Sequence, residues 1–485
     1  MEKKHIIRKA FGFAFLLLLS HVIKGQQNNS LYFTDRIPQS IQLNPALQPM
    51  ATSYVGMPFI SGLEINAGNN AISLNDILIK EKDSLFLPIA TKEITAKTLD
   101  KLRKNNLFGG SLQEDIISFG FKINESYISF LISEKVNTNI SIPKDLVTFA
   151  NQGITFGDTY NINNLKLSAT HYREYSVGYS QKVSDRLYFG IRGKLLFGKA
   201  NLNMKQMDLT LSVPELNSSD WETVNVSSSL KINSSVPHLD VYADPTGQPD
   251  SLKMRDFEGT EILWDYVLLR KNKGFGVDLG FNYLLNDKVS ISGSIVDLGY
   301  INWKANINTL TGGGDYKFRG IDLKNDSTFE DDLLDSIENA YDATLSNDPY
   351  STTLTPKLYA GISYSPNRFV KVGLLARSEY VLKTFRQQIT GSLIMYPTQF
   401  FSATVSYTIA DRMYDNLGIG FIFRGGPLQL YLMCDRIPIT WYKVRNSDIP
   451  VLPVYLKGAN FRMGINWVFG SNIQRKLKKD QPFLE

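Results

Sequence analysis

From Val55 onward the chain alternates apolar and polar side chains residue by residue, in stretches of about 8–12. That period puts the two sets on opposite faces of a β-strand. The last stretch is the cleanest: Ala459, Phe461, Met463, Ile465, Trp467 and Phe469 share one face, and Gly458, Asn460, Arg462, Gly464, Asn466 and Val468 the other. Upstream, Ile117, Phe119, Phe121 and Ile123 oppose Ser118, Gly120 and Lys122, while Phe275, Val277, Leu279, Phe281 and Tyr283 oppose Gly276, Asp278, Gly280 and Asn282. A soluble sandwich or propeller also alternates. Here the polar faces carry Gly, Ser, Asn and Arg rather than a Lys/Glu mixture, and the apolar faces often end in Tyr, Trp or Phe. Both features favour a sheet whose oily face meets lipid.

The pattern predicts an all-β fold, a transmembrane antiparallel β-barrel of about fourteen strands, an even number as single-chain barrels require. The strands fall near 52–67, 113–123, 126–136, 168–182, 186–200, 273–284, 288–302, 355–365, 369–383, 385–396, 399–409, 415–424, 427–435 and 457–469. Every second connection is short and turn-forming: Asn124-Glu125, Val183 to Asp185, Leu285 to Asp287, Ser365 to Arg368, Pro397-Thr398 and Gly425-Gly426. The four longest connections, near 68–112, 137–167, 201–272 and 303–354, all have the opposite parity. Long extracellular loops, short periplasmic turns and two periplasmic termini follow from that sorting. Within the loops, helical spacing is visible at Ile94, Leu99 and Leu102, at Ile262 to Leu269, and at Leu333 to Leu345; 206–236 alternates as a hairpin standing above the membrane.

Composition agrees only when its distribution is read. The 485 residues are 43% hydrophobic with a mean hydropathy of −0.15, too polar for a bundle of membrane helices, each of which needs about 20 consecutive apolar residues. A barrel averages an oily face and a polar one. The net charge of +5 is concentrated at the start, where Lys3, Lys4, Arg8, Lys9 and Lys24 face only Glu2. The rest is nearly neutral, so nucleic-acid binding has no electrostatic basis. With the apolar run Phe11 to Leu19 and the exit before Gln26, residues 1–25 read as a cleaved signal peptide, which implies the outer membrane of a Gram-negative bacterium. Residues 26–50 then form a periplasmic hatch or plug, 51–469 the barrel, and 470–485 a periplasmic tail. The single cysteine, Cys434, permits no intramolecular disulfide.

The segment Leu31 to Pro49 holds three prolines and cannot be a central strand. It is too apolar to be a disordered leader, and at this position it can pack into the lumen, with Asn44 capping a helix that starts at Pro45. The motif Asn44-Pro45-Ala46, after a signal peptide and before a barrel of this size, resembles the FadL-like outer-membrane superfamily, which includes fatty-acid and hydrocarbon transporters and the PorV component of type IX secretion. The longer string Ile37-Pro38-Gln39-Ser40 with Asn44 to Pro49, Gly56-Met57-Pro58 and Asp297 to Trp303 is most similar to an uncharacterised Bacteroidota outer-membrane family. The resemblance implies a monomeric barrel with an N-terminal hatch and, in some relatives, lateral movement of hydrophobic ligands.

Catalytic chemistry is poorly supported. Beyond the leader the chain has two histidines, His171 and His238, so neither a metal site nor an enzyme is expected, and no cofactor. The run Glu330-Asp331-Asp332 lacks the glycine and spacing of a calcium loop. On the lumen face, Arg192, Lys194, Lys371, Arg377, Arg386 and Arg462 outnumber Glu64, Asp278 and Asp435. They make either a basic constriction that favours anionic solutes or a network paired with Asp278 and the hatch. Two functions follow: a FadL-like channel or transporter for a small amphipathic, hydrophobic or anionic ligand, or a non-transporting scaffold that binds an envelope or secretion complex through its outer loops. The lipid of the outer membrane is the partner common to both.

Overall fold

The computed structural model describes residues 29–73, 76, 79–81, 84–86, 96–152, 155–218, 223–243, 249–254, 264, 266–319, 344–382, 384–410, 413–437, 442–443, 451–452 and 457–471. The leader, Ile94, Ile262, Leu263, the acidic run Glu330 to Asp332, Leu333 to Tyr341 and the tail from 472 lie outside them. Among the described residues no helix is long and apolar enough to cross a membrane.

Fourteen antiparallel strands close into one barrel. They are β1 (Ala51–Gly56, resumed at Leu63–Asn69), β2 (Asn105–Ile123), β3 (Ser126–Pro143), β4 (Lys166–Lys182), β5 (Leu187–Ser212), β6 (Asn272–Leu284) and β7 (Val289–Trp303). The second half comprises β8 (Lys357–Asn367), β9 (Val370–Val381), β10 (Thr384–Met395), β11 (Phe401–Ala410), β12 (Met413–Gly425), β13 (Leu428–Cys434) and β14 (Gly458–Ser471). Each pairs with the next, and β14 returns to β1 through Trp467 against Val55. Closure leaves no free edge inside the bilayer, the condition for a sheet to span it.

The alternation is inside out relative to a soluble protein. Phe119, Phe189, Leu195, Phe275, Leu374 and Phe461 are all exposed on the outer face. The inner face buries polar groups such as Ser133, Asp278, Thr390 and Asn466. Pro58, with no amide to donate, interrupts β1, and the chain between its two halves brings Ser61 into the interior, where Ser61 O accepts bonds from Gln39 and Tyr431.

Several strands outrun the membrane stretches predicted from alternation. β2 begins at Asn105 and β3 continues to Pro143, inside regions expected to be loops. These ends mix apolar and polar residues without a sustained alternation, Leu107 and Phe108 being adjacent in β2 and Asn137 to Asn139 all polar in β3, so they carry no period-2 signal. β5 extends to Ser212 and pairs with Thr223–Ser235, which pairs in turn with Ile307–Arg319. This sheet has its own core of Tyr160, Ile162, Leu211, Val213, Val224 and Val226, against which Leu146 and Phe149 of helix α1 (Lys144–Gln152) pack.

Candidate functional site

A fourteen-stranded barrel is wider than the eight-stranded kind that its own side chains fill. The difference is taken up by residues 29–50. Two short 3₁₀ turns, Asn29–Leu31 and Pro38–Gln42, fold the segment compactly. Its apolar side chains sit in separate pockets of the wall. Tyr32 and Phe33 pack with Val296, Tyr359 and Leu375; Leu31 and Ile37 pack with Ile422, Tyr431 and Met433; Ile41 packs with Tyr54 and Tyr127. Tyr32 stacks on Tyr359 with ring centres 5.6 Å apart. Burying each large apolar side chain stabilises by about 1.5–3 kcal/mol.

Polar bonds then tie the segment to most of the circumference. Asn29 Nδ2 donates to Gln388 Oε1 (2.8 Å) and Thr390 Oγ1 (3.0 Å) on β10. Gln39 reaches Asn466 on β14, Gln42 reaches Asp115 on β2, and Arg192 of β5 donates to Ile41 O at 2.8 Å. Ser294 of β7 donates to Leu43 O at 2.6 Å. Asp35 takes bonds from Lys371 Nζ (2.6 Å) and the Tyr396 hydroxyl (2.9 Å). Burial raises the pKa of the Asp35 carboxyl, but Lys371 and Tyr396 outweigh it and hold the group below the usual carboxylate value.

Asn44 does not cap a helix, because no helix follows Pro45. Its Oδ1 accepts from the Ala46 amide at 2.9 Å, which makes an Asx turn, and Leu47 N bonds back to Asn44 O. That leaves Nδ2 to donate outward, to the Tyr32 hydroxyl and to the carbonyls of Phe281 and Gly293. The turn lies directly on two wall glycines. A Cβ at Gly190 would collide with the backbone of Pro45 and Ala46, and one at Gly280 with the Asn44 side chain. Nothing in the local sequence distinguishes these glycines from the other small residues of the polar face.

The six basic residues predicted to line a constriction are all on the inner face, and each has a carboxylate within 4 Å. Arg192 lies 3.4 Å from Asp278, Lys194 2.7 Å from Asp278 and 2.6 Å from Asp297, and Lys371 2.6 Å from Asp35. Arg462 is 2.7 Å from Glu64, while Arg377 and Arg386 share Glu379 at 2.5 and 3.5 Å. The pairs fit the network alternative; they cancel most of the positive field a free basic ring would make. Lys135 with Glu174 and Lys357 with Asp297 extend the network and were not found by sequence reasoning. Asp297, which joins Lys194 to Lys357, enters the lumen against the strand's alternation. The β6–β7 register shifts between Val277 and Leu279, and Asp297 adopts φ 62°, a left-handed backbone that Asp tolerates. This bulge aims Asp297 at Lys194 and Lys357, and its amide donates to Asp278 at 2.7 Å. A strict alternation cannot foresee it.

Two cavities lie beside the network. One of about 50 Å³ lies between Gln42, Leu43, Glu174, Arg192, Lys194 and Arg462. A larger one of about 120 Å³ is lined by Asn66, Ser111, Asn137, Thr170, Arg377 and Arg386 among others, and the two share Asp297 and Lys357. The lining of the larger cavity is mainly polar: hydroxyls, amides, the guanidinium groups of Arg377 and Arg386, the Lys357 ammonium and the carboxylates of Asp297 and Glu379, with Leu354 and Val381 among its apolar groups. Among the described residues no three His, Cys, Asp or Glu side chains gather as a metal site.

One family model, described as a family of unknown function (DUF5723), matches residues 45–435. No curated protein matches the sequence. Solved structures similar in shape include a TodX deltaS2S3 mutant monoaromatic hydrocarbon channel, 8% identical, with 92% of this chain and 96% of that chain covered and a TM-score of 0.40. A Pseudomonas aeruginosa FadL homologue is 11% identical over 89% and 94% of the two chains, with a TM-score of 0.38. The Pseudomonas putida toluene transporter TodX is 9% identical over 92% and 94%, at 0.36.

Proposed function

The chain belongs to the DUF5723 family, whose model spans most of its length, and from that premise we propose that it is an outer-membrane channel closed by its own N-terminal segment. It admits a small solute with hydrogen-bonding or anionic groups. The observation that carries this reading is the fixing of residues 29–50 by discrete polar bonds to wall strands on every side. Apolar anchors such as Tyr32, Phe33 and Ile37 hold the segment as well, and the buried paired charges beside them add little net stability. Polar ties can be exchanged one by one for water or for a ligand.

The larger cavity supports the ligand class. Two guanidinium groups, Arg377 and Arg386, share the carboxylate of Glu379 beside amides and hydroxyls. Such a lining suits a carboxylate, phosphate or polyhydroxylated group. It suits a bare hydrocarbon poorly, because polar groups would be desolvated without partners.

The test is conductance of the full chain in planar bilayers. Wild type is expected to be nearly closed, and Gln42→Ala with Asn44→Ala, which removes ties on opposite sides, is expected to open in long events. Silence from both would reject the channel reading. The sheet continuing β5 beyond the barrel favours the scaffold as a second reading; a stoichiometric protein partner in mild detergent would support it.

A further inference from the structure

On the outer wall a second feature stands apart from the lumen. Residues 191, 193, 195 and 197 of β5 point outward, and Ile191 and Leu195 are large and exposed, Leu195 by 56%. Between them Gly193 interrupts the apolar surface. A Cβ built there meets nothing within 4 Å, so no packing constraint requires a glycine. Its absence of side chain opens a groove of about 440 Å³ walled by Phe130, Tyr175, Val177, Leu195 and Phe197. Tyr175 and Phe197 meet edge to face at 5.6 Å and form its upper wall.

The groove runs toward the long-loop end, the extracellular end in barrels of this kind. There the apolar surface gives way to charge. Arg173 pairs with Glu134, which His171 also contacts at 3.1 Å, and His171 holds the Tyr266 hydroxyl at 2.5 Å. Lys199 donates to the carbonyls of Val267 and Leu269 at 2.7 and 2.8 Å, fixing the chain that leads to Arg270. Arg270 lines the groove, is exposed, and has no ion-pair partner among the described residues. Its neighbours Lys271 and Lys273 are exposed as well.

We propose that this groove is a lipid site: an acyl chain lies over Gly193 and the anionic phosphate of the same outer-leaflet lipid rests on Arg270. The surroundings supply the chain, since the groove opens within the lipid-facing belt. The charge at one end selects the head group, because an unpaired guanidinium at headgroup depth attracts phosphate and binds it bidentately. The apolar end and the charged end are held in register by the Lys199 and His171 contacts. This site is independent of the channel reading, as no lumen residue takes part.

The test uses the full chain reconstituted in phosphatidylcholine bilayers containing phosphatidic acid, then extracted in mild detergent and weighed intact with its retained lipid. Wild type is expected to retain phosphatidic acid over phosphatidylcholine by roughly fivefold, the effect of one basic residue at the surface. Arg270→Glu should abolish that preference while total retention persists. Gly193→Trp fills the groove and should lower retention of both lipids by a similar factor. Heat-modifiable gel migration of each variant confirms that the barrel is closed. Retention by Gly193→Trp equal to wild type would overturn the chain site, and an unchanged preference in Arg270→Glu would overturn the headgroup site.

Discussion

Lys371 Nζ sits 2.6 Å from the Asp35 carboxylate, joining β9 to the segment that fills the lumen. The Asp35 carboxyl has its pKa depressed in the folded protein: burial raises it, but Lys371 more than compensates. A depressed carboxyl contributes stability that is present above its unfolded value, about 3.9, and is lost as pH falls through the folded value. The segment is therefore expected to stay docked at neutral pH and to loosen only in acid below about 4. Lys371→Ala removes the compensation and leaves the buried carboxylate without its counterion, so the segment should be looser already at neutral pH and show little further loosening in acid. Hydrogen exchange of residues 29–50 against pH reads both effects; identical profiles for variant and wild type would count against the link.

The fit of Asn44 to Ala46 on the wall glycines gives a steric prediction. Gly190→Val places a branched side chain where the Pro45 backbone lies. Overpacking of this kind costs about 1–3 kcal/mol, and here the displaced partner is a tethered segment rather than the ladder. Faster proteolysis or exchange at residues 29–50, with barrel strands still protected, is the expected result. Gly391→Val is the control, since a Cβ there meets open space, and it should leave the segment undisturbed.

Selectivity should respond to Glu379. It faces Arg386 across the β9–β10 ladder and accepts from Arg377. Glu379→Gln keeps the shape and removes the negative charge shared by the two guanidinium groups. In a variant that also opens the segment, the reversal potential in a salt gradient is expected to shift toward anions by several-fold in permeability ratio, following the local charge. No shift would mean that these arginines do not face the permeating ion.

Arg462 and Glu64 form a buried pair at 2.7 Å, and Arg462 also holds Gln42 Oε1. Removing one member of a buried pair leaves a charge without its counterion and costs about 3–5 kcal/mol. Arg462→Ala should thus lower the urea midpoint of heat-modifiable migration markedly. Replacing both, Arg462→Leu with Glu64→Leu, should recover much of that loss, whereas equal destabilisation by single and double variants would show that the pair itself contributes little.

The barrel was legible because lipid enforces one rule on every spanning strand: an apolar side chain at each second position. All fourteen predicted stretches fall on observed strands, from Thr52 in β1 to Phe469 in β14. Where water takes over from lipid the rule lapses, and Asn105 to Leu112 and Asn137 to Pro143 read as loops though they are strand. The six basic lumen residues were legible by parity, but their partners were only partly so. Glu174 and Glu379 sit on polar faces whose registers were not assigned, and Asp297 reaches the lumen through a bulge that breaks parity. Asn44 forms a turn and not the expected helix cap because Asn-Pro suits both, and the choice is made by tertiary contacts with Gly190 and Gly280.

The ties of residues 29–50 also have a mechanical meaning. They are spaced along the segment, from Asn29 on β10 to Gln48 beside Ser180 on β4. A displacement of the whole segment along the barrel axis would load all of them together, and the resistance would be their sum. A pull on one end would load them in succession, so that each bond breaks alone and the peak force is set by the strongest single tie. The same fastening is thus firm against uniform pressure from a solute and weak against a tug from the N-terminal side.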